Sequence, residues 1–172
     1  MTDRRLILLR HAKSGWPDGV PDRDRPLAPR GQKAAPKIGA FMAKEKLVPD
    51  LVLVSPARRT QETWNLIAPR LPKKRDKRDI EAIYEAPANR LLDVVRDTAA
   101  TVRCLMLVGH NPGLQQLALS LIGAGEADSI HRIGEKYPTA GLVELEFSLD
   151  LWSDLHAGTA TLRRFVTPKS LD

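Results

Sequence analysis

Three short apolar runs punctuate the chain: Leu6 to Leu9, Leu51 to Val54 and Cys104 to Val108. None alternates with polar residues, and each is bounded by turn-forming or charged residues. Such runs predict strands buried on both faces. Between them apolar positions recur at helical spacing. Ala34, Ala35, Ile38, Phe41 and Met42 predict a helix over about residues 31–46. Pro36 fits that helix only in its first turn, or else bends it. Further helices are predicted over 57–67, closed by Pro69; from Pro87 onward, with Leu91, Leu92, Val94 and Val95 as the apolar face; and over 114–122, stopped by Gly123 and Gly125.

The remaining segments carry weaker signals. Residues 15–30, rich in Gly, Pro and Asp, predict a loop, residues 124–140 read as irregular, and Ile80 to Tyr84 is a short apolar segment. Leu142 to Leu149 and Ala160 to Val166 alternate apolar and polar residues, predicting two strands nearer the sheet edge with a turn around residues 150–158. Strands alternating with helices predict an α/β domain: a three-layer α/β/α sandwich around a mainly parallel sheet. No repeat, low-complexity tract or linker divides the chain, so residues 1–172 are expected to form one domain with its core over about 5–166.

Composition narrows this picture. A chain of 172 residues can bury roughly 70% of its unfolded surface, so it needs no disulfide or metal to fold. Cys104 is the single cysteine, which excludes an intrachain disulfide and a multi-cysteine zinc site. No apolar stretch approaches the roughly 20 residues of a membrane-spanning helix, and the N-terminal apolar run is too short for a signal-peptide core. A cytoplasmic location without membrane association is expected. The net charge of +6 invites a nucleic-acid reading, but residues 70–78 (RLPKKRDKR) carry six basic residues and one acid, a net +5 of that total. With eight aromatic residues and no recognised fingerprint, no nucleic-acid partner is expected.

The chemistry gathers at strand ends, where open α/β sheets bind ligands. The first run ends in Arg10-His11, the second in Ser55-Pro56-Ala57-Arg58-Arg59, and the third in Gly109-His110-Asn111. Two histidines and at least two arginines are thus expected at one edge of the sheet. Guanidinium groups pair with phosphate oxygens. A histidine among them can take a phosphoryl group onto a ring nitrogen and release it to water. No cluster of carboxylates has metal-ligand spacing, so no metal and no cofactor are expected.

At these residues the sequence resembles the histidine phosphatase superfamily, whose fold is phosphoglycerate mutase-like. Leu8-Leu9-Arg10-His11-Ala12 is similar to its Arg-His-Gly signature, with Ala12 in the glycine position. Ser55 to Thr63 (SPARRTQET) resembles its second motif, and Val108 to Gly113 (VGHNPG) the third. The short chain, the opening Arg-His-Ala-Lys-Ser-Gly-Trp, Arg25-Pro26-Leu27 with Arg30-Gly31, Ile83-Tyr84-Glu85-Ala86 and Pro138-Thr139-Ala140 resemble the SixA-type branch, which acts on protein phosphohistidine.

That resemblance implies roles. His11 is the expected nucleophile, Arg10 and Arg59 clamp the phosphate, and His110 contacts the phosphoryl group. Glu85 is the nearest match to a general acid, with Glu81 a second candidate. Ser55 either touches phosphate or caps its turn. Arg58, His131 and His156 are expected on the surface, and Cys104 in the core. Lys13 and Ser14 either reach substrate or face solvent, and the loop 70–78 is either solvated or a docking patch. The implied enzyme is a metal-independent phosphatase acting on a phosphorylated protein. Its alternatives are a small phosphorylated metabolite as substrate, or a catalytically weak phosphate-binding adaptor.

Overall fold

A computed structural model describes residues 2–72 and 76–172. One seven-stranded sheet runs in the order β3-β2-β4-β1-β6-β7-β5. Its strands are β1 (Asp3–Arg10), β2 (Leu51–Val54), β3 (Asp76–Asp79), β4 (Cys104–Gly109), β5 (Ile122–Ala124), β6 (Leu142–Ser148) and β7 (Ala160–Val166). All pairings are parallel except the two made by β6, which runs against both β1 and β7. The helices are α1 (Pro29–Lys44), α2 (Arg58–Ile67), α3 (Ala88–Arg96), α4 (Gly113–Leu121) and α5 (Ala127–Glu135).

The period-two geometry of β1 splits the core into two layers. Ile7 and Leu9 join Ala35, Ile38 and Met42 of α1 and Trp64 and Ile67 of α2. Leu6 and Leu8 join Leu91 and Val95 of α3, Leu114 and Leu117 of α4 and Ile133 of α5. β1, β2 and β4 are covered on both faces, which is why their sequences are continuous apolar runs. The expected α/β/α sandwich with its mainly parallel sheet is the fold observed.

Several local expectations need correction. Residues 124–140 are not irregular throughout, because they contain α5. Its buried signal is one residue, Ile133, beside a half-buried Ile130, too little for a visible apolar stripe in nine residues. Side-chain pairs at i,i+4 support it: the ion pair Asp128–Arg132 at 3.4 Å and the contact His131–Glu135 at 3.0 Å. The expected basic loop 70–78 ends in strand β3, whose DKRD sequence has no apolar residue. Pairing with β2 decides its conformation, and charge suits an edge strand. Lys73, Lys74 and Arg75, the centre of that loop, lie outside the described residues.

β6 and β7 lie towards one edge of the sheet as expected, but neither is the edge strand. β6 sits between β1 and β7, and the short β5 forms that edge. Gly123 of β5 permits this closure, since a Cβ there would stand 2.0 Å from the Gly158 carbonyl oxygen. Pro36 lies inside α1 rather than in its first turn, while Pro29 occupies the helix start.

Candidate active site

The three chemistry-bearing strand ends lie side by side, because β4 stands between β2 and β1. Arg10 is level with Gly109, and Val54 with Val108. The pairing continues one residue past the strands. The His11 amide donates to the Gly109 carbonyl and the Ser55 amide to the Val108 carbonyl, each at 3.1 Å. Residues separated by up to a hundred positions in sequence thus share one end of the sheet.

His11 is buried, and its Nδ1 lies 2.7 Å from the Ala12 carbonyl. A carbonyl only accepts, so Nδ1 carries the proton and Nε2 keeps its lone pair. The Ala12 amide donates to Thr63 Oγ1 at 3.0 Å, and that hydroxyl donates to the Arg59 carbonyl at 2.7 Å. This is the physical role of the threonine ending the second motif: it ties the loop after His11 to the helix that carries Arg59.

The His110 ring centroid lies 5.4 Å from that of His11. Its Nε2 is 2.7 Å from Ser55 Oγ, which also accepts the Ala57 amide at 3.3 Å. Ser55 therefore caps its turn and holds His110 at the same time. Arg10 Nη1 donates to the Tyr137 carbonyl at 3.0 Å, and the Tyr137 hydroxyl donates to the Leu8 carbonyl.

Arg59 sits in the first turn of α2 and is held by Asp22. Nη1 donates to the Asp22 carbonyl at 2.7 Å and Nη2 to its carboxylate at 3.1 Å. The same carboxylate accepts the Tyr84 hydroxyl at 2.6 Å and Arg25 Nε at 3.1 Å. Tyr84 lies edge-on to His110, with ring centroids 5.6 Å apart. Arg25 also donates to Ser14 Oγ at 2.9 Å and lies 3.5 Å from the ring of Trp16, which is 75% exposed.

Three buried nitrogens here have no hydrogen-bond partner: Arg10 Nε, Arg59 Nε and His110 Nδ1. The two arginine Nε–H groups are buried donors without acceptors, which is costly, and they mark a site suited to an oxyanion. The electrostatics agree. Burial, reinforced by Arg59, Arg10 and Arg25, pushes the His11 pKa down to about 4. Burial and the neighbouring His11 and Arg59 push His110 down to about 3. Both rings are neutral near pH 7. The Tyr84 hydrogen bond, with Arg59 and Arg25, holds the Asp22 carboxyl down at about 2.

Arg10, His11, Ser55, Arg59 and His110 come together as the sequence led us to expect. Glu85 is exposed, in a left-handed conformation (φ 51°), and Glu81 is engaged by Arg23 at 2.5 and 2.7 Å. Arg58 faces solvent beside Glu62, His131 and His156 are exposed, and Cys104 is buried with its thiol pushed up to about 12 by burial. Ser14 is buried against Arg25, whereas Lys13 is exposed. Asp22 and Tyr137 were not singled out by sequence, and Arg25 and Tyr84 entered only as letters of the motifs that carry the resemblance, with no site role. For Asp22 the available signal was the alternation of acids and bases in Asp22-Arg23-Asp24-Arg25. Among the described residues no three His, Cys, Asp or Glu side chains are grouped as metal ligands, and no helix is long and apolar enough to cross a membrane.

Residues 6–85 match the sequence profile of the histidine phosphatase superfamily (branch 1). The chain belongs to this superfamily. It is a phosphatase of the histidine type with a phosphoglycerate mutase-like fold. An uncharacterized protein of Mycobacterium tuberculosis is 35% identical over 94% of this chain and 100% of its own length. A crystal structure from Agrobacterium tumefaciens, of a protein provisionally named phosphohistidine phosphatase SixA, is 30% identical with a TM-score of 0.81, covering 96% of this chain and 98% of that one. A phosphoserine phosphatase of Entamoeba histolytica shares the fold at 17% identity and a TM-score of 0.62, covering 98% of this chain and 100% of its own.

Proposed function

We propose that this histidine phosphatase hydrolyses phosphohistidine on proteins, through a phosphoryl group carried on His11. The observation that carries the mechanism is the tautomer of His11. With Nδ1 committed to Ala12, the Nε2 lone pair is free at neutral pH, among guanidinium groups. Nε2 attacks phosphorus in line, and the bond from phosphorus to the substrate nitrogen breaks. The leaving imidazole keeps the electron pair and takes a proton from solvent. Water then attacks phospho-His11, releasing inorganic phosphate and restoring the neutral ring.

Arg10, Arg59 and His110 are the groups we assign to the equatorial oxygens. Their unpartnered Nε and Nδ1 atoms suit the charge that spreads there. Ser55 would act through His110 by fixing its ring. The donors are guanidinium and imidazole groups, so the proposed steps are metal-independent.

The substrate class rests on two supports. The provisional name of the Agrobacterium protein is one. The other is the state of the acids. Asp22 is held ionised, Glu81 is paired with Arg23, and Glu85 is exposed. A phosphoramidate departs with less protonation than an alkoxide, so it suits such a site. The test compares phosphate release from a phosphohistidine-bearing protein and from a panel of small phosphomonoesters, with His11→Ala as blank. Faster release from the protein is expected. Turnover of small esters alone would assign a metabolite substrate instead.

A further inference from the structure

Beside the candidate site lies a second feature that the proposed chemistry does not use. A cleft of about 720 Å³ is lined by Lys13, Arg30, Lys33, Lys37, Lys136 and Lys169, with Asp172 as its one acid. Its walls are the loop after His11, the first half of α1, the segment entering β6 and the segment leaving β7. Since β1 and β7 run parallel and β6 opposes them, all four walls lie at the sheet end that carries Arg10 and His11. Lys13 stands two residues from His11, and the Ala140 amide, next to lining residue Thr139, donates to the His11 carbonyl at 2.9 Å. The cleft and the histidines thus share backbone.

Most of the charge of this cleft is uncompensated. Lys37 pairs with Asp172 at 2.7 Å, but no salt bridge among the described residues involves Lys13, Arg30, Lys33, Lys136 or Lys169. Arg30, Lys33 and Lys37 follow one face of α1 and span about 10 Å. The cations are exposed, mostly lysines, over a floor that includes Ala34 and Pro138. This differs in kind from the candidate site, where buried guanidiniums are fixed for one phosphate. Flexible, hydrated ammonium groups act as dispersed point charges. They suit carboxylates strung along a peptide better than a single compact anion.

We propose that this cleft docks an acidic segment of the phosphoprotein substrate while its phosphohistidine occupies the His11 site. The inference rests on the phosphohistidine reading and adds the class of sequence that the enzyme prefers. Opposite charge along the cleft raises the encounter rate and sets the register of the bound chain.

The experiment uses two phosphohistidine peptides of equal length, one with three glutamates on each side of the phosphohistidine and one with glutamines there. At low salt the acidic peptide should show about tenfold higher kcat/KM. That preference should shrink with added salt and vanish in the Arg30→Glu/Lys33→Glu/Lys169→Glu variant, whose hydrolysis of an aryl phosphate stays unchanged. The corresponding glutamine variant should be intermediate. Equal turnover of both peptides by the wild type, or a preference surviving in the variant, overturns the docking cleft and leaves the phosphohistidine reading intact. If neither peptide is hydrolysed while an aryl phosphate is, the phosphohistidine reading fails. The cleft is then judged by anisotropy of a fluorescent hexaglutamate peptide. Binding lost in the charge-reversed variant supports it. No binding to the wild type, or binding of tripolyphosphate alone, overturns it.

Discussion

Asp22 grips Arg59 twice, with its carbonyl at 2.7 Å from Nη1 and its carboxylate at 3.1 Å from Nη2. A loop residue thereby fixes the direction of a helix side chain 37 positions away. Asp22→Asn keeps the shape but loses the charge that holds Arg59, Arg25 and Tyr84 together. Charge-assisted hydrogen bonds contribute about 1.5–3 kcal/mol, so KM for an aryl phosphate should rise about tenfold or more, with kcat less affected. Steady-state kinetics check this, and an unchanged KM would show that Arg59 needs no such anchor.

His11→Ala should lower turnover at least about a thousandfold. In the wild type, rapid quenching should trap phosphate in an alkali-stable, acid-labile bond. Mass spectrometry after alkaline work-up should place it on His11. Phosphate trapped elsewhere would refute the assignment. Added chelator should leave the rate unchanged.

Neither candidate histidine should titrate between pH 5 and 8, because burial holds His11 at about 4 and His110 at about 3. Nitrogen-15 NMR of the imidazoles reads this directly, and a midpoint near 6.5 on either ring would contradict it. Stability follows by linkage. The unfolded chain takes up protons near pH 6.5 that the folded rings refuse. Stability should therefore fall as pH drops from about 6.5 towards 4 and should gain nothing from these groups above that window.

Ser55→Ala removes the partner of His110 Nε2. The expected result is a roughly tenfold loss in kcat. The tautomer signature of His110 should change as well. A serine that only capped its turn would alter stability and leave both readouts unmoved.

Gly31→Ala should destabilise the protein by at least about 2 kcal/mol. A Cβ there would meet the Lys13 carbonyl oxygen at 2.1 Å, and backbone cannot swing aside as a side-chain tip can. Chemical denaturation measures the loss. A neutral result would mean that the loop after His11 yields freely.

Arg10, His11, Arg59 and His110 were legible because each follows a buried apolar run or opens the next helix. Local pattern alone places them at one sheet end. Asp22, Tyr84 and Tyr137 were not, since each acts through a loop whose path only tertiary packing defines. Tyr137 contributes its carbonyl to Arg10, and no side-chain motif announces a carbonyl. The same distinction holds for the fold. β2, β4 and the centre of β1 are apolar, whereas β3 owes its conformation to its neighbour and α5 to one buried isoleucine.

Strand β4 enters the sheet between β1 and β2, although both precede it in the chain. Arg10 and His11 therefore share no strand neighbour with Ser55 until residues 104–109 have been synthesised and threaded between β1 and β2. A nascent chain halted before that point holds Arg10, His11, Ser55 and Arg59 but lacks His110 and the strand that sets β1 and β2 in register. Phosphate release from a ladder of stalled chains would thus switch on in one step instead of growing with length. Catalysis by this protein doubles as a report that its central strand is in place.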